Sequence, residues 1–333
     1  MKVAINGFGR IGRLVFRIME NDPDMEVVAI NDLTNADDLA YLLKYDTTHG
    51  NFMKDEISSD DNSIIINGRK VLVFNEKDPE ILPWKELDID LVFECTGLFT
   101  KYEDSYKHIL AGAKKVLISA PGKGDMKTIV YNVNHTSLDS EDKIVSAASC
   151  TTNCLAPVVK IVDDNFGIVR GYMTTVHAYT NDQATLDIAH KKGILSRRGR
   201  ACAENIVPSS TGAASAIGKV IPSLDGKLDG FAMRVPVRDG SVIDLTLELS
   251  KNVTKESIND TILKNSNESI GITFDPIVSS DIIGLKMGSL VDGLLTNVLD
   301  VDGKQLVKIV AWYDNEISYS YQMVRTAKHL GGL

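Results

Sequence analysis

A chain of 333 residues, 44% apolar and 24% charged, is long enough for a large core and is expected to fold as two domains rather than one. The composition argues against disorder, and no apolar run reaches the ~18 residues that a membrane span needs. A formal net charge of −9 argues against nucleic acid or a membrane surface as main partner, and any phosphate ligand must be drawn in by local arginines and helix N-termini.

Met1-Lys2 leads straight into a strand pattern, with no apolar h-region or cleavage site, so no signal peptide is expected. Cys95, Cys150, Cys154 and Cys202 form no small-domain framework and read as reduced thiols of a cytoplasmic protein. Cys150 and Cys154 lie one helical turn apart, but no second pair at metal spacing accompanies them, so no metal is expected.

The chain opens with the β-branched run Lys2-Val-Ala-Ile-Asn6, then Gly7-Phe-Gly9-Arg-Ile-Gly12, then Leu14, Val15, Ile18 and Met19 at helical spacing. This is a strand, a Gly-x-Gly-x-x-Gly turn and a helix, followed by a second strand that ends at Asp32. Gly7 permits the tight turn, Gly9 lets the backbone approach a pyrophosphate, and Gly12 lets helix and strand pack closely. Asp32 falls twenty residues after Gly12, where a carboxylate binds the ribose hydroxyls of NAD and repels the 2′-phosphate of NADP.

The α/β alternation continues with a helix over 37–45 and a hairpin over 64–74 that turns at Asn67-Gly68. Strands end at Thr96-Gly97 and at Ser119. In an open parallel sheet the ligand lies beyond the carboxyl ends of the strands, so Thr96, Gly97 and Ser119 read either as cofactor contacts or as ordinary turn residues.

Lys143-Ile-Val-Ser146 reads as another strand, and Leu155, Val158, Val159 and Val162 recur at helical spacing. Cys150 is therefore expected at a helix start, where free N–H groups and the helix dipole favour a thiolate. Ser149 and Thr151 flank it with hydroxyls suited to capping or to holding an anion. Beyond it, strands are expected over 167–178, 231–237, 241–249 and 304–313, and helices over 211–220, 254–265 and 317–330. The pattern is that of a second, α+β domain on a mostly antiparallel or mixed sheet, beside a doubly wound parallel sheet of Rossmann type. The polar stretch 180–208, with Arg197, Arg198 and Arg200, is too long for a mere connector. His177 ends a strand-like run, and a histidine beside a candidate thiol nucleophile suggests a Cys–His couple acting on a carbonyl. With a dinucleotide domain, the reaction class becomes thiol addition to an aldehyde, hydride loss to NAD, and a thioester.

These residues make the chain resemble the phosphorylating glyceraldehyde-3-phosphate dehydrogenase family of glycolysis. The matching stretches include 6–13, 42–46, Ala148-Ser-Cys-Thr-Thr-Asn-Cys154, 174–183, Pro208-Ser-Ser-Thr-Gly-Ala-Ala214, Met233-Arg-Val-Pro236 and Trp312-Tyr-Asp-Asn-Glu316, nearly end to end. The resemblance implies that Cys150 is the nucleophile and His177 the acid/base. It places Thr180 and Arg234 at the substrate phosphate, and Ser149, Thr151, Thr211 and Gly212 at inorganic phosphate. Arg10 and Ile11 would meet the pyrophosphate, Asp32 the ribose, Thr96, Gly97 and Ser119 the length of the cofactor, and Asn315 the nicotinamide carboxamide. It also implies glyceraldehyde 3-phosphate and phosphate as substrates, and a homotetramer whose loop over 180–203 packs at a subunit interface. An NAD-binding domain over 1–149, joined by a C-terminal helix over 316–333, and a catalytic domain over 150–315 follow.

The chain departs from the family pattern at four places. Ala147 replaces the usual Asn, and nothing in the sequence accounts for its effect. Ala189, next to Ile188, replaces a Pro where NAD and NADP forms differ, although Asp32 with Leu33 still favours NAD. The loop is longer around Lys192–Ser196. Ser318 replaces Gly, at a cost of the order of 1 kcal/mol if that backbone needs positive φ. Two other readings remain at this point: erythrose-4-phosphate dehydrogenase, with the same couple but little use of phosphate, and a non-enzymatic binding protein on the same fold. The two intact phosphate sites favour the first reading.

Overall fold

The computed structural model describes residues 1–191 and 193–333; Lys192, where the expected loop lengthening begins, lies outside them. The chain divides into two compact units, Met1–Ser149 with Ser320–Leu333, and Cys150–Tyr319.

The first unit contains β1 (Lys2–Asn6), α1 (Arg10–Met19), β2 (Glu26–Asn31), α2 (Ala36–Lys44), β3 (Ile57–Asp60), β4 (Ser63–Ile66), β5 (Arg69–Phe74), β6 (Leu91–Glu94), α3 (Tyr102–Leu110), β7 (Lys115–Ile118) and β8 (Ile144–Ser146). The sheet order is β3-β4-β5-β2-β1-β6-β7-β8, parallel from β5 to β8 and antiparallel among β3, β4 and β5. Val3, Ala4, Ile5, Leu91, Val92 and Phe93 are all fully buried. Such runs, apolar on both faces, are what a parallel sheet covered on both sides requires. At the β4–β5 turn Asn67 and Gly68 both take positive φ, at 49° and 80°, as a type I′ turn requires.

The second unit contains α4 (Cys150–Phe166), β9 (Ile168–Ala178), β10 (Val207–Ser210), α5 (Ile217–Val220), β11 (Leu228–Val235), β12 (Ser241–Leu249), α6 (Lys255–Lys264), β13 (Ile270–Thr273), β14 (Ser289–Asp292), β15 (Asn297–Val301), β16 (Lys304–Tyr313) and the start of α7 (Ile317–Gly331). Its sheet runs β10-β11-β9-β12-β16-β14-β13, with β15 on β16, and is mixed: β9/β11 and β13/β14 are parallel, the remaining pairs antiparallel. Alternate residues of β12 and β16, Ile243, Leu245, Leu247, Val307, Ile309 and Ala311, are fully buried and carry the core.

One expectation needs correction, and one condition is not met. Only Ile217–Val220 of 211–220 is helical. The preceding residues turn, because the Thr211 hydroxyl accepts from Ala213 N at 3.2 Å and competes with a helical start. Ser318 does not sit at positive φ; it lies in the first turn of α7, and its hydroxyl donates to Asp314 O at 2.5 Å.

Candidate active site

In the first unit the carboxyl ends of β1, β2 and β6 open onto a cleft of about 540 Å³ lined by Gly7, Gly9, Asp32, Leu33, Thr96 and Leu98, among others. Gly7 has φ +90°, and a Cβ there would lie 2.7 Å from Thr96 N. A Cβ on Gly12 would collide with the Gly7 carbonyl oxygen, whereas one on Gly9 would meet nothing within 4 Å. The three glycines thus shape the turn, close the helix on the strand, and leave one face free for a ligand. Asp32 is held by Phe8 N at 2.7 Å and Thr34 N at 3.1 Å, so its carboxylate is fixed at the cleft wall. These features fit a dinucleotide: a glycine cradle, an uncapped helix start at Gly9, a fixed carboxylate and apolar walls.

Ile11 and Arg10 open α1, but the Arg10 guanidinium is engaged with Asp46 at 2.5 and 3.2 Å. Burial opposes the Asp46 charge, yet the His49 N–H and the Arg10 guanidinium outweigh it and bring that carboxyl down to about 2. The Arg10 side chain is therefore held on Asp46. Gly97 takes φ +70° beside Thr96. Ser119 N donates to Glu94 O at 2.9 Å, and Cys95, with its thiol, lines the cleft. Burial and the neighbouring Glu94 push that thiol up, so Cys95 is no nucleophile. Asn6, Asn31 and Glu76 also line the cleft and escaped the sequence reading. The available signal was that Asn6 and Asn31 are polar residues closing apolar parallel strands.

In the second unit Cys150 is the first residue of α4, directly after Ser149. Met173, Thr175 and His177 share the buried face of β9, and His177 Nε2 lies 3.4 Å from Cys150 Sγ. His177 Nδ1 is 2.7 Å from Ala178 O; an Nδ1–H donated there leaves the Nε2 lone pair facing the thiol. The parallel pairing of β11 on β9 sets Arg234 opposite His177. Arg234 Nη1 lies 2.9 Å from His177 Nδ1 and donates to Ala178 O at 3.0 Å and Thr180 Oγ1 at 3.3 Å, while its Nε is buried without a partner among the described residues. Thr180 bonds Asp182, and Arg198 pairs with Asp182. Arg234 thus keeps an unspent donor, which fits an anionic ligand.

Burial, then Arg234, pushes His177 down to about 3, so the imidazole rests neutral. Burial also raises the Cys150 thiol, against the opposing pull of Arg234 and Thr151. The expectation of a resting thiolate is therefore corrected: the helix N-terminus is present, but desolvation outweighs it. Cys154, four residues on, is pushed up to about 12 by burial and is inert.

Thr151 Oγ1 and Thr175 Oγ1 both bond the Tyr313 hydroxyl, at 2.9 and 2.8 Å. Tyr313 was not singled out from the sequence. Asn315 is fixed by the Ser241 hydroxyl, which donates to its Oδ1 at 2.7 Å. Thr211 and Gly212 form the turn after β10, at the end away from Arg234: the register sets Val207 against Arg234 and Ser210 against Phe231.

Residues 149–315 match the family model for the glyceraldehyde 3-phosphate dehydrogenase C-terminal domain, and residues 1–102 match that for its NAD binding domain. The chain is 58% identical over 328 residues to the glyceraldehyde-3-phosphate dehydrogenase of Clostridium pasteurianum, covering 98% of each chain. The chain belongs to the glyceraldehyde-3-phosphate dehydrogenase family. A Clostridium acetobutylicum member of that name is 57% identical, over 98% of this chain and 97% of its own, and one from Streptococcus pyogenes is 54% identical, over 99% and 98%. NAD is the cofactor, and the NAD-binding region of the glyceraldehyde-3-phosphate dehydrogenase family includes the cleft built on Gly7, Asp32 and Thr96. The C-terminal region includes Cys150, His177, Thr180, Arg234 and Asn315.

Proposed function

We propose that the protein oxidises D-glyceraldehyde 3-phosphate with NAD⁺ and inorganic phosphate to 1,3-bisphosphoglycerate and NADH, as a glycolytic enzyme of the cytoplasm. The observation that carries this reading is the 3.4 Å approach of a neutral His177 Nε2 to the Cys150 thiol, beside the free Nε of Arg234. Cys150 Sγ adds to the aldehyde carbon while His177 takes the thiol proton and delivers it to the new oxygen. His177 then takes that hydroxyl proton back as hydride leaves the carbon, and a thioester remains on Cys150. Bound NAD supplies the hydride acceptor. Phosphate attacks the thioester carbonyl, and the departing Cys150 sulfur recovers its proton from His177.

Arg234 and Thr180 hold the substrate phosphate. Ser149, Thr151, Thr211 and Gly212 serve the attacking phosphate, and Tyr313 fixes the Thr151 hydroxyl. Arg10 and Ile11 meet the pyrophosphate, Asp32 the ribose, Thr96, Gly97 and Ser119 the cofactor's length, and Asn315 the carboxamide. Residues 1–149 with the C-terminal helix act as the NAD-binding domain and 150–315 as the catalytic domain. A homotetramer is supported by large apolar residues exposed in the second unit: Tyr172 on β9 is 70% exposed, and Ile194 and Leu195 in the arginine-bearing loop 95% and 91%.

The test is NADH formation from glyceraldehyde 3-phosphate with and without inorganic phosphate, with NADP⁺ in parallel and with Cys150→Ser as control. Phosphate-dependent turnover with NAD⁺, lost in Cys150→Ser while NAD still binds, is expected. Turnover indifferent to phosphate would move the assignment to a hydrolytic or erythrose-4-phosphate enzyme.

A further inference from the structure

Glu94 ends β6 beneath the cofactor cleft, with its side chain fully buried. Its carboxylate accepts four hydrogen bonds. Oε1 takes Thr96 N at 2.8 Å and the Thr96 hydroxyl; Oε2 takes Asn6 Nδ2 at 2.6 Å and His108 Nε2 at 3.1 Å. His108, on α3, is fully buried as well. Trp84 Nε1–H can only donate, so its 3.0 Å contact makes His108 Nδ1 the acceptor and leaves Nε2–H for Glu94. One tautomer of His108 satisfies both neighbours.

The network continues under the cleft. Asn31 Nδ2 donates to Asn6 Oδ1 at 2.7 Å, and Asn31 bonds the backbone of Glu76 in both directions, at 2.9 Å each. Asn6, Asn31, Glu76 and Thr96 all line the cleft, whereas Glu94, His108 and Trp84 lie behind it. A single carboxylate thus ties the ends of β1 and β6, and through Asn6 the end of β2, into one set. Hydrogen bonds to a charged acceptor in a dry interior are strong and geometrically strict. An amide in its place can accept at one of its two atoms only, so two of the four donors lose their partner.

We propose that Glu94, oriented by His108 and Trp84, is a positioning residue for NAD, holding Asn6 and Thr96 in the geometry that sets cofactor affinity. The proposal rests on the dehydrogenase reading above. Groups behind a binding site whose hydrogen bonds fix its walls tune affinity without touching the ligand.

The experiment measures NAD binding to the full chain by titration calorimetry, the NAD KM and kcat, and cofactor-free melting, for Glu94→Gln, His108→Leu and His108→Gln. Glu94→Gln and His108→Leu should each weaken NAD binding about tenfold and raise the NAD KM in step, with kcat at saturating NAD within about twofold. His108→Gln, whose amide can both accept from Trp84 and donate to Glu94, should recover most of the affinity that His108→Leu loses. If the variants melt earlier but bind NAD like the wild type, the network is merely structural and the proposal is overturned. Equal affinities for His108→Leu and His108→Gln overturn it too, even if Glu94→Gln fails to fold. A wild-type protein that does not bind NAD would instead sink the dehydrogenase reading itself.

Discussion

Arg234 Nη1 stands 2.9 Å from His177 Nδ1, so the cation that binds the substrate phosphate in the proposed reaction also bears on the general base. Each role predicts a separate consequence. Replacing Arg234 by Leu removes charge-assisted bonds to the phosphate, worth about 1.5–3 kcal/mol, or roughly 10- to 150-fold in KM. The same change should cost turnover of unphosphorylated glyceraldehyde less, since only the effect on His177 is then lost. Steady-state kinetics with both aldehydes reads the difference; an equal loss on both would mean that Arg234 serves His177 alone.

His177 is held at about 3, below its ordinary value of 6.5, by burial and by Arg234. The unfolded chain binds this proton first as pH falls. The stability contributed by keeping His177 neutral is therefore complete above about 6.5 and lost as pH drops towards 3, with a slope approaching about 1.4 kcal/mol per pH unit. His177→Asn should flatten urea-denaturation midpoints between pH 6.5 and 4. It should also lower kcat by about 10²–10⁴, the usual share of a general base. Parallel acid profiles for variant and wild type would refute the burial argument.

The sequence showed the dinucleotide turn because its signal is local: a β-branched run, three glycines at fixed spacing and an apolar helix face lie within eighteen consecutive residues, 2–19. The placement of Arg234 against His177 is not local. It depends on β11 pairing in parallel with β9, a crossover that no window of sequence displays. Tyr313 was unreadable for the same reason, since it meets Thr151 and Thr175 only across the fold. The expected thiolate failed because a helix start is visible in sequence and the degree of burial is not. Only the last four residues of 211–220 are helical, although Ala213, Ala214, Ile217 and Val220 are all buried: the two alanines reach the core from a turn.

Ser318, read from the sequence as a departure from the resembled family's glycine, has a use in the structure. Its backbone is helical, the residue is 2% exposed, and its hydroxyl closes on Asp314 O. Ser318→Gly should therefore destabilise rather than relieve strain. The lost hydrogen bond and the flexibility of glycine in a helix together cost about 1–2 kcal/mol. Chemical denaturation measures it, and a stabilised glycine variant would restore the argument from strain.

Asp239 is fully buried, and its carboxyl is raised to about 9, first by burial and then by the charges of Asp314 and Glu316. The folded protein thus keeps a proton that the unfolded chain releases near 3.8. With the folded value above the unfolded one, this contribution is fully present below about 3.8 and is lost as pH rises through 9. Asp239→Asn keeps the shape and removes the titration, so it should gain stability relative to the wild type as pH rises from 5 to 9. Denaturation midpoints for the two proteins across that range provide the check. A constant gap between them would overturn the assignment of the retained proton to Asp239.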